Sequence, residues 1–369
     1  MSLAEIFTQI HVPHVVAALV SAGAVLGLFV APVGGICTYI ERKLAADFQE
    51  RIGPNRVGPL GILQFFADGI KMLLKEDTAP QNADRAIYNI APVLVVIGAF
   101  GSFAAIPFSK FIVGADLNIG LLYVLAVGSL VSLGILLGAW SSDNKWSLLG
   151  GMRAAAQIIS YEIPLGISLL SVVTVAGTLS LTSMIDGQAN LSAGGQFWNV
   201  FHNPFVSINF LIYFIAALAE CNRTPFDLPE AESELVSGFN TEFSGMRFGL
   251  YALAEFGDII LFACVATAVF LGGWHLPFLN LEQMLANKGI FFNFLLAIST
   301  FVVFLAKAAS LVFVVMWIRW TLPRLRLDQL MSMCWKYLIP ISFFNLVGSA
   351  LWVWYFKGQS LVQILFGNG

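Results

Sequence analysis

Two stretches of an otherwise apolar chain concentrate side chains that could carry protons or hold a polar ligand. Segment 220–258, ECNRTPFDLPEAESELVSGFNTEFSGMRFGLYALAEFGD, sets eight carboxylates (Glu220, Asp227, Glu230, Glu232, Glu234, Glu242, Glu255 and Asp258) against two bases, Arg223 and Arg247. Glu220 closes one apolar run, Glu255 and Asp258 fall within the next, and Glu162 (ISYEIP) and Lys307 (FLAKAAS) interrupt two others. Ionised groups are costly in lipid, so such residues mark a pathway for ions or protons, or else pair with one another. Crowded carboxylates in a dry interior titrate as a coupled set, which suits a proton path better than a metal cage. No cluster has the ligand spacing of a calcium loop. Part of the acidic segment also has a structural reading, because Asp227 and Glu230 flank Pro229 at the spacing of an N-cap and its capping-box partner.

Segment 41–85 carries Glu41, Arg42 and Arg51, then the turn signals Gly53-Pro54-Asn55 and Gly58-Pro59-Leu60-Gly61. The glycine spacing imitates a phosphate-binding loop, but Pro59 and Leu60 stand where Lys and Ser or Thr are required, which rules that reading out. Beyond the turns, Gln64, Asp68, Lys71 and Lys75 recur at helical spacing, opposite Ile62, Phe65, Phe66, Ile70, Leu73 and Leu74. The pattern predicts an amphipathic helix over 62–75 lying in a membrane interface. Its polar stripe either faces water or turns Asp68 and Lys71 toward a protein cavity.

The elements that position these groups follow from composition. Of 369 residues, 58% are hydrophobic and 11% charged, with a mean hydropathy of +0.82, so lipid is the solvent for most of the chain. Apolar runs near 14–39, 87–108, 117–140, 155–179, 204–219, 248–273, 290–318 and 337–356 predict an all-α polytopic membrane protein of about eight transmembrane helices. They form a single membrane domain, with a polar loop at 41–85 and an acidic one at 220–247. Fifteen of the 19 Lys and Arg fall in one set of loops, which makes those loops cytoplasmic and puts both termini on the outer side. A net charge of −3 argues against a nucleic-acid partner. The four cysteines are scattered, and the four histidines fall on the outer side of this topology. No zinc, iron–sulfur or paired-histidine haem site is legible.

The stretches ERKLAADFQERIGPNRVGPLGILQFFADGIKMLLKE and AECNRTPFDLPEAESELVSGFNTEFSGMRF strongly resemble the H-subunit family of bacterial proton-pumping NADH:quinone oxidoreductase, respiratory complex I, equivalent to mitochondrial NADH dehydrogenase subunit 1. The resemblance covers essentially the whole chain, including SYEIP and IRWTLPRLRLDQLMSMCWKYLIP. It implies a subunit of the bacterial inner membrane that joins the hydrophilic and membrane arms and forms much of the tunnel for ubiquinone. Flavin and iron–sulfur clusters would reside in neighbouring subunits, with no haem here. By motif, Glu41, Arg42, Arg51, Asp68, Lys71, Phe226, Arg319 and Arg324 would line the quinone tunnel. Glu162, Glu220, Asp227, Glu230, Glu232, Glu234 and Glu255 would form the acidic path toward the membrane arm. Related energy-converting hydrogenase complexes share the architecture, and an autonomous ion-coupled transporter is the rival from another class, with Glu162, Glu255 and Lys307 as its ligands.

Overall fold

The structure, a computed structural model, describes residues 31–188, 198–229, 232–276, 290–356, 359–361 and 364. Six of its helical segments are long and apolar enough to cross a membrane: Arg85–Ala105, Gly120–Ser141, Lys145–Ala176, Gly245–Val269, Leu295–Thr321 and Leu327–Tyr355. Helix Pro204–Glu220 is apolar but shorter, as its run of sequence anticipates. Most of the expected first span lies outside the described residues, but its end, 31–39, belongs to helix α1 (Ala31–Phe48). The chain is an all-α polytopic membrane protein.

In chain order the other helices are α2 (Gln64–Leu74), α3 (Arg85–Gly101), α4 (Gly120–Gly128), α5 (Leu130–Ser141), α6 (Lys145–Ala176), α7 (Leu181–Gln188), α8 (Pro204–Glu220), α9 (Glu232–Leu235), α10 (Gly245–Val269), α11 (Ile290–Thr321), α12 (Leu327–Met333) and α13 (Ile339–Tyr355). Their ends follow local chemistry. Asp84, Asn144 and Asn203 accept hydrogen bonds from the first-turn amides of α3, α6 and α8, Pro204 opens α8, and Gly177, at φ +68°, closes α6. A π turn, Cys334–Leu338, joins α12 to α13.

α10 is the central pillar. It packs on α1, α2, α3, α7, α8 and α11, and 78% of its apolar window is buried by protein, against 22% for the span containing α11. Its C-terminal end is capped by side chains from other elements. Asn199 and Gln188 donate to the Val269 carbonyl, and Lys307 Nζ donates to the carbonyls of Leu271, Gly273 and His275 at 2.7–2.8 Å. A cation at a helix C-terminus satisfies orphan carbonyls and opposes the negative end of the dipole. Lys307 therefore has a structural explanation distinct from the ion pair or transport ligand that sequence suggests.

Packing of α3, α5 and α10 relies on missing side chains. A Cβ on Gly134 of α5 would lie 2.4 Å from Val95 Cγ2 and 3.0 Å from the Ala91 carbonyl, and one on Gly138 would lie 2.2 Å from the Tyr251 hydroxyl. Membrane helices without a hydrophobic drive between them associate through such close approach. We expect Gly134→Val to separate α3 from α5 at a cost of about 1–3 kcal/mol and to lower the amount of intact assembly on native gels, with Gly134→Ala milder. Normal assembly of the Val variant would show that this contact does not hold the bundle together.

Candidate functional site

A cavity of about 600 Å³ opens between α1, α2, α10 and the C-terminal end of α11. Its apolar wall includes Phe65, Met72, Leu73, Met246, Phe248, Leu253 and Trp320, and its polar wall holds Glu41, Arg42, Arg51, Asp68, Arg223, Glu255 and Arg319. A site with a long apolar wall and a few convergent polar groups fits an amphipathic small molecule.

The deepest polar group is an ion cluster gathered from four parts of the chain. Glu41 of α1 receives hydrogen bonds from Arg319 of α11 and from Arg223, just beyond α8, the latter at 3.3 Å. Arg223 also lies 3.8 Å from Glu255 of α10, and its guanidinium sits 4.4 Å from the Phe256 ring. Two carboxylates and two guanidinium groups balance in charge, which lets them stay buried. Burial pushes the Glu41 carboxyl above its ordinary range, against the opposing pull of Arg223 and Arg42.

Nearer the surface, Arg42 donates to Asp68 at 2.5 Å and Gln64 donates to it at 2.9 Å. The two readings of the amphipathic helix thus divide between its residues. Asp68 turns into the cavity, while Lys71 stays outside it, 72% exposed and 3.7 Å from Asp68. Phe66, Ile70, Leu73 and Leu74 are exposed, which leaves an apolar face available to lipid. The expected 62–75 helix spans Gln64–Leu74 and rests on α1 and α10, with Phe65 against Gly35, where a Cβ would meet the ring at 2.6 Å.

Glu255 also connects this cavity to the interior. It lines a small void shared with Glu220, Asp258, Asn222 and Tyr251, and Glu220 and Asp258 line a second void bordered by α4 and α5. Glu255 and Asp258 are three apart on α10 and so share a face. Asp258, marked in the sequence as an acid within an apolar run but not placed on the acidic path, therefore joins Glu255 and Glu220 around these voids, whereas Glu162 lines neither.

Other expected members stand apart from it. Asp227 pairs with Arg324 at 3.0 Å and Glu234 with Arg153 at 2.7 Å, both near the surface. Glu230 lies outside the described residues, and Glu232 is placed only as the first residue of α9. Phe226 does not line the cavity; it is buried with its ring 5.7 Å from that of Tyr161. Arg223 is the main cavity residue that the motifs did not single out. Its only local signal was a lone base among acids at the end of an apolar run. Among the described residues no group of three or more His, Cys, Asp or Glu is arranged to hold a metal.

Comparison with known proteins places this geometry. The NADH dehydrogenase family model matches residues 20–350. The H subunit of NADH-quinone oxidoreductase from Anaeromyxobacter dehalogenans is 46% identical over 340 residues, covering 90% of this chain and 82% of that protein. The corresponding H subunits of Bacteroides thetaiotaomicron and Chlorobaculum tepidum are each 46% identical, covering 89% and 85% of this chain and 88% and 86% of theirs. The chain belongs to this family, the H subunits of NADH-quinone oxidoreductase. In a family member of this kind the enzyme is the complex, and the present chain is one of its membrane subunits.

Truncating one member of a balanced buried cluster strands the opposite charge. Arg223→Met is expected to destabilise the protein by about 3–5 kcal/mol, read as a lower melting temperature of the purified complex. Adding Glu255→Gln should recover part of that loss. Equal melting temperatures for wild type and Arg223→Met would show that the cluster is not a stabilising unit.

Proposed function

We propose that this subunit forms much of the access tunnel and headgroup site for ubiquinone and couples its reduction to proton translocation elsewhere in the complex. The observation that supports this best is that Glu255 belongs to two walls at once: that of an amphipathic cavity large enough for a quinone headgroup and the start of its tail, and that of the voids leading to Asp258 and Glu220.

Reduction of a quinone to a quinol consumes two electrons and two protons, the electrons supplied by flavin and iron–sulfur clusters of the hydrophilic arm. This chain's residues bind, neutralise and respond. Arg42 and Asp68 hold the mouth of the polar wall, and Arg319 and Arg223 present positive charge toward its interior. Negative charge arriving in the cavity draws Arg223 away from Glu255, and Glu255 then loses a counter-charge. In a low-dielectric interior, proton uptake or reorientation becomes the cheaper state for that carboxylate. Asp258, Glu220 and Glu162 pass the change inward as an electrostatic relay to antiporter-like partner subunits.

The chain is further assigned to the bacterial inner membrane, with its basic loops cytoplasmic and both termini periplasmic. Its partners are subunits of the membrane and hydrophilic arms, lipid and quinone. The lipid-exposed apolar face of α2 supports an entry route from the bilayer.

Two substitutions test the halves separately in the assembled complex. Asp68→Asn is expected to raise the KM for a short-chain ubiquinone by about threefold to tenfold, because it removes a charge-assisted contact at the mouth. Glu220→Gln should leave that KM near normal and lower both kcat and protons moved per electron. Unchanged KM and kcat in Asp68→Asn would remove this residue from the tunnel, and normal pumping in an assembled Glu220→Gln complex would remove the relay.

A further inference from the structure

The segment between Glu220 and Phe226 carries a member of each half of the proposed machinery, the relay acid Glu220 and the cavity base Arg223, within four residues. It is irregular, and its conformation is set by few contacts. The amides of Asn222 and Arg223 bond back to the carbonyls of Ala219 and Leu218 at 3.2 and 3.3 Å, and the Phe226 amide bonds to the Arg223 carbonyl at 2.8 Å. Asn222 takes a left-handed φ of +50°, which ends α8 and turns the chain toward the cavity.

Among the described residues, the side chain that bridges both ends of this segment is Gln157 of α6. Its Nε2 donates to the Ala219 carbonyl at 2.7 Å and the Phe226 carbonyl at 2.8 Å, and lies 3.2 Å from Asn222 Oδ1. The two carbonyls fix the amide's orientation, since a flipped amide would set oxygen against oxygen. Gln157 is wholly buried, and its own oxygen has no hydrogen-bond partner among the described residues. A buried amide with an idle acceptor is explained by its donors. Gln157 lines neither the cavity nor the acidic voids, so any effect on turnover must pass through the segment it clamps.

We infer that Gln157 is a positioning residue for quinone reduction: by fastening the Ala219 and Phe226 carbonyls to α6, it holds Arg223 between Glu41 and Glu255 while Glu220 stays at the acidic voids. This rests on the proposed quinone and relay roles of that site. Phe226 supplies its backbone carbonyl as the far anchor, while its ring packs against Tyr161 of α6, the same helix that carries Gln157.

The test uses the intact complex in native membranes carrying Gln157→Leu, Arg223→Lys or both. NADH oxidation by a soluble acceptor that bypasses quinone reports assembled enzyme. Gln157→Leu is expected to lower the kcat of quinone reduction about tenfold with the KM changed less than about twofold, since no cavity wall is altered. Arg223→Lys keeps the charge but loses the planar fork, and should be impaired to a similar degree. If Gln157 acts through Arg223, the double variant falls within about twofold of Arg223→Lys alone, because residues acting as a unit are not additive. Multiplied losses in the double variant, or a normal Gln157→Leu beside an impaired Arg223→Lys, would overturn the positioning role. A normal Arg223→Lys would instead overturn the reading of the site on which it rests. Should Gln157→Leu not assemble, Gln157→Met, which keeps the length and lacks the donors, carries the same expectations.

Discussion

Charge balance in the buried cluster of Glu41, Arg223, Glu255 and Arg319 is the constraint on which the rest depends. An isolated ion at this depth would be prohibitively costly, and even a pair must have its remaining hydrogen-bonding capacity met. Here α1, α10, α11 and the turn after α8 each supply one charge. No two neighbours along the chain could satisfy it, so the cluster forms only when these four elements arrive together. The apolar wall of the cavity follows from the same arrangement: α2 is laid across α1 and α10 and leaves a gap above the ions rather than filling it.

Such a cluster is both stable and responsive. Arg223 is placed between two carboxylates rather than committed to one, at 3.3 Å from Glu41 and 3.8 Å from Glu255, while Phe256 supports its flat face. A small change in the field of the cavity shifts the balance between those two contacts without unfolding anything. Rigidity has to come from elsewhere, and α10 provides it. Its C-terminal end is tied by Lys307, Gln188 and Asn199, Tyr251 near its start meets Gly138 of α5, and Gly257 lets its middle approach Ala99 and Phe100 of α3.

What was legible in the sequence is what depends on nearest neighbours. Apolar runs and the amphipathic α2 are written in stretches of a few to twenty residues, and those that fall in the described residues are found close to their expected places. The amphipathic period could not say which polar residue of α2 faces inward. Asp68 and Lys71 are only a turn apart, and the choice between them is made by Arg42, which lies 26 residues upstream. Arg223 escaped assignment because its partner Glu41 is 182 residues away. Asp258 did carry a local signal, since it falls within an apolar run, but nothing local shows that it lines the same voids as Glu220 and Glu255. Asp227 and Glu234 show the converse: they belong to the acidic motif, yet each is held by an arginine near the surface.

That division gives the acidic segment two jobs. Asp227 with Arg324, together with the Leu325 amide on the Pro225 carbonyl at 3.0 Å, straps the loop after α11 onto the turn after α8. Glu234 with Arg153 ties α9 to α6. These contacts lie at or near the surface, are screened by water, and contribute little energy individually. Their effect is geometric: they fix the outer rim of a turn whose inner rim carries Glu220 and Arg223. A motif rich in carboxylates is therefore not one uninterrupted wire. Some of its acids hold the frame still, and in the proposed mechanism that stillness is what lets the few buried ones respond to charge in the cavity.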